Sequence, residues 1–156
     1  MGGIDLDPAS SPEANEVVRA SRFYTREDYG LIQDWTANSI FVNPPFGDAV
    51  GEFVEKLLAT YESGAVSQAI LLVAARTDTQ WFKLLYDYPL CFVEGRGVYW
   101  NPGRPSGESF ASVFAYLGPN LGSFVLEFSQ YGTVYLGIPR RAVDPLYGAF
   151  RRAVAA

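Results

Sequence analysis

Asn43, Pro44, Pro45 and Phe46 are the residues of this chain whose types and order could do chemistry. Each proline holds the residue before it out of the helical region, so the turn is stiff. Neither proline has an N–H, so the stretch offers carbonyl acceptors and one side-chain amide with few competing donors. It is built to receive a donor. A planar amino group has two hydrogens to give, and the Asn43 amide oxygen with the Pro44 carbonyl can take both. Phe46 can stack on the ring that carries the amine, a contact worth about 1–3 kcal/mol per base. Drawing both hydrogens out of plane favours a pyramidal nitrogen and aims its lone pair at an electrophile, which is catalysis by orientation and preorganised electrostatics.

No general base is required for such a step, and the composition is consistent with that. The 156 residues include no histidine, which removes serine–histidine and cysteine–histidine catalysis and most common zinc sites. The one cysteine, Cys91, lies in an apolar run without a partner, so no disulfide framework exists and a reducing, cytoplasmic setting is expected. The apolar run "AILLVAA" is far short of the roughly 20 residues of a membrane span, so no membrane contact is expected. Net charge is −5. That argues weakly against avid nonspecific nucleic-acid binding, yet Arg96, Arg104, Arg140, Arg141, Arg151 and Arg152 gather in the later part and can form a basic face on an acidic protein.

The elements that must position these residues suit one α/β domain over 1–156. Ile4 and Leu6 mark a short strand stopped at Pro8, and "PEANEVVRA" has helical composition with proline near the favoured first position. Residues 21–35 read as loop with a short strand near Phe23. Ile40 to Val42 is a strand running into the proline turn. Val50, Phe53, Val54, Leu57 and Leu58 repeat at helical spacing, with Asp48 expected as N-cap. "QAILLVAA" reads as a strand buried on both faces, so a strand–helix–strand unit with a parallel pair is expected. "DTQWFKLLYDY" reads as a further helix. "LCFVEG", "SFASVFAYLG" and "SFVLEFSQYGTVYLGI" read as antiparallel strands, and "NPGRPSGES" as a loop. The Asn43 turn then lies at the C-terminal end of a parallel strand, where open α/β sheets bind ligands.

"IDLDPAS", "ANEVVRA", "YTREDYGLIQDW", "VNPPFG", "AILLVAARTDTQWF" and "VEGRGVYWNPG", in that order, resemble the phage-type DNA N6-adenine methyltransferases over most of the chain, to about Leu136. The resemblance implies a Rossmann-like methyltransferase sheet, mainly parallel with antiparallel C-terminal strands. It implies S-adenosylmethionine as methyl donor, a flipped-out adenine of DNA as acceptor, no metal, and a phage- or prophage-encoded DNA-modification enzyme acting in a bacterial cytoplasm. On it, Asn43, Pro44, Pro45 and Phe46 match the Asn-Pro-Pro-aromatic catalytic motif, with phenylalanine where tyrosine is more frequent. Asp5, Asp7, Pro8 and Ala9 fall where the donor pocket would lie, Asp7 being favoured because it is nearest the strand end. Asp28 is a candidate acceptor for the donor's adenine amine. Arg76, Thr77, Thr79 and Trp81, with Arg96, Trp100 and Arg104 around Tyr99, are the expected DNA-facing residues.

Two departures bear on function. The family usually has a segment upstream of "IDLDPAS" with a Thr-Pro pair and a helix that helps close the donor site, and no Gly-x-Gly loop of the general methyltransferase type is present. Three readings therefore stand at this point: adenine methylation of DNA; methylation of RNA adenine or a protein glutamine on the same fold; and a truncated, non-catalytic binding module.

Overall fold

The computed structural model describes residues 2–101 and 104–137, and side chains within those ranges except for 97–109. A seven-stranded mixed sheet forms the body, in the order β2, β1, β3, β4, β8, β5, β9. Its left half is parallel: β1 (Leu6–Asp7), β2 (Arg22–Phe23), β3 (Ala37–Val42) and β4 (Val66–Ala74) run the same way. β8 (Ser112–Leu117) is reversed and lies between β4 and β5 (Pro89–Val93), and β9 (Gly132–Leu136) closes the other edge antiparallel to β5.

Alternation decides which face each strand residue serves. Ile40, Val42, Ala69, Leu71 and Val73 point to one face, where helix α2 (Val50–Glu62) lays Val50, Phe53, Val54, Leu57 and Leu58 on them. This is the main core, and Trp35, 1% exposed, meets Phe53 within it at 5.8 Å between ring centroids. The opposite face is covered by α4 (Leu121–Phe128), whose Phe124 and Phe128 join Tyr116, Phe114 and Cys91. Helix α1 (Pro12–Val18), between β1 and β2, buries no side chain fully. It is capped by Ser11, whose hydroxyl accepts the Ala14 amide at 3.1 Å.

Four expectations are corrected. α2 takes Ala49, not Asp48, as its N-cap: Asp48 lies inside a turn closed by the Val50 amide on the Gly47 carbonyl. "SFVLEF" is helix α4 rather than strand, because Phe124 and Phe128, four apart, stack on each other at 4.6 Å and on the sheet. The helix read in "DTQWFKLLYDY" is one turn, α3 (Gln80–Lys83), followed by a 3-10 segment at Leu84–Asp87. The loop expected at 101–109 is most of a hairpin, β6 (Gly97–Asn101) and β7 (Arg104–Phe110), with Asn101 opposite Arg104. β5 ends and β8 begins at the edge where β3 and β4 end, so this hairpin rises from that same edge.

Candidate active site

β1 connects through α1 to β2 on one side, and β3 lies on the other side of β1. The strand order reverses between β1 and β3, the kind of crevice where open α/β sheets take ligands. Leu6 is level with Ile40, so the turn after β1 and the Asn43 turn leave the same edge of the sheet.

The Asn43 turn leaves β3 directly. Asn43 is half-buried, Pro44 buried, and Pro45 exposed, and Phe46 keeps 47% of its surface exposed. Among the described residues no hydrogen bond engages the Asn43 side-chain amide. Gly47 then takes φ +120, a conformation that a side chain would strain, and lets the chain swing into α2. Beside the turn lies a cleft of about 530 Å³ lined by Pro44, Phe46, Arg76, Thr79, Trp81 and Phe110 together with the end of β4. The structure thus gathers five of the expected site residues, from two separate segments, around one cavity, and adds Phe110 from a third.

Their individual bonding differs. Arg76 is paired with Asp78 at 3.2 Å on the surface, and this pairing raises the basicity of its guanidinium and lowers the Asp78 carboxyl. Thr79 caps α3, its oxygen accepting the Phe82 amide at 3.3 Å while its hydroxyl donates to the Arg76 carbonyl at 2.8 Å. Thr77 is exposed. Trp81 packs over Gly51 of α2, where a Cβ would stand 3.5 Å from the indole. Arg96 is exposed at the root of the hairpin. Trp100 lies on β6 and Arg104 on β7, and the side chains of both fall outside the described residues. The arginines at 140, 141, 151 and 152 also lie outside them.

The β1 turn is tightly self-bonded. Asp7 is 2% exposed, and its Oδ1 accepts the Ala9 amide at 3.1 Å, forming an Asx turn around Pro8. Burial pushes the Asp7 carboxyl up, against hydrogen bonds from Ala9 and Ser10 that pull it down. The Ser10 amide donates to Tyr24, and Tyr24 to Asp7, so β2 stitches the turn in place. Asp5 is bonded away from this turn. Its carboxylate accepts the Asn38 and Ser39 amides at 3.1 and 3.0 Å, near the start of β3. That is four strand positions short of Asn43, or about 13 Å at roughly 3.3 Å per residue.

Asp28 accepts from the Thr25 amide and hydroxyl, both at 2.8 Å, and these bonds lower its carboxyl pKa. It remains exposed on a loop laid against the β1 turn. Gly30 makes that contact possible, since a Cβ there would stand 2.0 Å from the Pro8 carbonyl oxygen. Its own carbonyl accepts the Trp35 indole N–H at 2.8 Å. Lys56 of α2 holds the loop from the other side, donating to the Leu31 and Gln33 carbonyls at 2.8 and 2.7 Å with its ammonium 5.1 Å from the Trp35 ring centre. Tyr29, between Asp28 and Gly30, is 70% exposed at a left-handed φ of 52. Reading the sequence misses Gly30, Lys56 and Phe110 as organisers of the site, because their contacts are to partners distant along the chain.

A family model described as DNA N-6-adenine-methyltransferase (Dam) matches residues 1–104. The chain belongs to that family. The matched range carries the β1 turn, the Asn43 turn and the start of the hairpin. No curated protein matches the chain. The α/β sheet is consistent with a methyltransferase fold of this family. Among the described residues no helix is long and apolar enough to cross a membrane, and no cluster of histidine, cysteine, aspartate or glutamate is placed to hold a metal ion.

Proposed function

We propose that this chain methylates the N6 amino group of adenine in DNA, with S-adenosylmethionine as donor. The observation that carries the reading is the open Asn43 amide at the end of β3, beside an aromatic-lined cleft, in a chain of the Dam family. Membership supports DNA adenine as the substrate; the geometry supports the residues. The reading extends the sheet to a Rossmann-like methyltransferase arrangement, with the crevice between β1 and β3 as its ligand site.

Asp7, Pro8 and Ala9 with Asp28 fit a donor at that crevice. A carboxylate offers about four acceptor positions, and the bonds to Ala9 and Ser10 leave Asp7 capacity to accept a hydroxyl or ammonium group. Asp28 offers an exposed carboxylate to an amine. S-adenosylmethionine, when bound, supplies an electrophilic methyl group. The chain's own residues act on the acceptor. Asn43 Oδ1 and the Pro44 carbonyl accept the two amine hydrogens and hold the nitrogen pyramidal, with its lone pair directed away from the ring. Phe46 stacks on the extruded base, whose removal from the duplex costs a few kcal/mol. Trp81 walls the cleft, and Arg96 at the hairpin root meets phosphate. Arg76, already neutralised by Asp78, contributes less charge to DNA than its position suggests.

The test is to supply the purified chain with methyl-labelled S-adenosylmethionine and, separately, unmethylated duplex DNA, single-stranded DNA, RNA and protein, then hydrolyse the products. N6-methyladenine from DNA is the expected product. Label confined to RNA or to protein glutamine would reassign the acceptor, and label in none would remove the activity.

A further inference from the structure

Arg76 lines the cleft beside the Asn43 turn, yet its guanidinium is already engaged. The chain turns sharply after β4. The Thr79 amide and hydroxyl both donate to the Arg76 carbonyl, at 3.0 and 2.8 Å, and the Arg76 amide donates to the Ala74 carbonyl at 2.7 Å. This closed turn brings the side chain of Asp78 beside that of Arg76. The two meet at two points, Oδ1 accepting from Nε at 3.2 Å and Oδ2 from Nη2 at 3.4 Å.

A guanidinium takes a phosphate in the same fork geometry. The pair is loose, because charge-assisted bonds of this kind run at about 2.7–2.9 Å. Its two side chains keep 62% and 70% of their surface exposed. An exposed ion pair contributes little, whereas a DNA strand presents closely spaced phosphates and a condensed ion atmosphere to release. Asp78 therefore occupies the fork without the strength to keep it against a phosphate.

We propose that Arg76 is a phosphate site for the DNA strand carrying the acceptor base, and that Asp78 is an internal competitor that holds the fork in the free protein and yields it on docking. It rests on DNA as the partner proposed above. The exchange leaves an unneutralised carboxylate beside the strand, so every docking carries a penalty. The pair loosens the hold on DNA whatever its sequence, and favours departure once the base has been methylated.

Binding of a fluorescein-labelled, unmethylated DNA duplex is followed by anisotropy across a salt series. The proteins are the parent, Asp78→Asn, Arg76→Gln, the Arg76→Gln/Asp78→Asn pair and Asp48→Asn, each first shown to be folded by circular dichroism. Asp48 lines the same cleft and makes no ion pair among the described residues, so its variant removes a like charge without freeing an arginine. Asp78→Asn is expected to tighten binding about 2- to 5-fold beyond that control, the strength of an exposed pair. Its salt dependence should steepen by about one unit of slope, for one more phosphate neutralised. In the Arg76→Gln background the gain should shrink to that of Asp48→Asn. An Asp78→Asn variant that binds no tighter than the parent would show that Asp78 orients Arg76, and overturns the inference, as does an equal gain in both backgrounds. A parent that binds DNA but transfers no methyl group overturns the proposed function alone, and the affinities still decide the inference. A parent that binds no DNA overturns both.

Discussion

The turn after β1 and the turn after β3 are level with each other at one edge of the sheet, yet they are built in opposite ways. At β1 the Asp7 carboxylate is buried, bonded to its own turn, stitched to β2 and pressed by the loop carrying Gly30. At β3 the Asn43 amide has no hydrogen-bond partner among the described residues, two prolines supply no amides, and the aromatic ring is half-exposed. A turn whose polar groups satisfy one another is a shaped wall. A turn whose acceptors are stiff and unspent can act on a substrate. The contrast separates binding by shape from action by preorganised acceptors.

The largest effect that tests the contrast is at Asn43. Asn43→Ala should lower transfer by on the order of 100-fold or more, the usual loss when one preorganised polar group leaves a reacting centre. Its melting temperature should stay near the parent's, because the amide supports nothing in the core. Turnover close to the parent's would make the β3 turn a wall like its neighbour.

The next effect is at Gly30, on the shape side. Gly30→Ala places a Cβ 2.0 Å from the Pro8 carbonyl oxygen, and both are backbone-anchored, so the loop must lift. Overpacking of this kind costs about 1–3 kcal/mol. Urea unfolding should show that loss, and calorimetry with S-adenosylmethionine should show weaker binding. A variant with parental stability and donor affinity would mean that the loop does not shape the crevice.

Lys56→Met should cost less, on the order of 1 kcal/mol, since two carbonyl partners of its ammonium are left to water on a half-buried surface. Hydrogen exchange should accelerate in residues 28–33 while β3 and β4 stay protected. Acceleration spread over the whole sheet would assign Lys56 to global stability instead.

The smallest effect, and one of opposite sign, is expected at Asp7. Its carboxyl is raised in the folded state because burial disfavours the charge. A carboxyl raised on folding favours the folded state at acid pH and loses that contribution as pH rises through its folded pKa. Asp7→Asn, which keeps an oxygen for the Ala9 amide, should therefore unfold at equal or slightly higher urea concentration than the parent at neutral pH. The advantage should vanish as pH falls below the ordinary carboxylate range. Donor affinity should drop meanwhile, and a variant less stable than the parent at neutral pH would show that the charge itself holds the turn.

What could be read from the sequence follows the range of the forces involved. The α2 repeat and the stiffness of the Asn43 turn are local, and both are visible in a dozen residues. The two glycines and Pro105 beyond Asn101 suggest a loop, whereas the hairpin forms through pairing that places Asn101 opposite Arg104. "SFVLEF" has the branched and aromatic content of a strand, and its helix is set by rings stacking on Tyr116, 5.1 Å from Phe124. Asp5 and Asp7 look alike on paper. Only the folded chain shows that one accepts β3's amides and the other the Ala9 amide of its own turn.

The reversed strand β8 has a consequence for how this chain is made. It pairs with β4 along Ala69 to Ala74 and with β5 along Leu90 to Phe92, so two buried strands wait on residues synthesised some way later. A nascent chain that has completed β4 and β5 carries three unsatisfied edges, one on β4 and both of β5, which are templates for self-association. Ribosomal pausing or truncation before Ser112 would release such a chain with its Asn43 turn already encoded. The family-matched segment ends at residue 104, ahead of β8. That segment is therefore a unit of descent without being a unit of folding, and chains cut at its boundary should enter inclusion bodies.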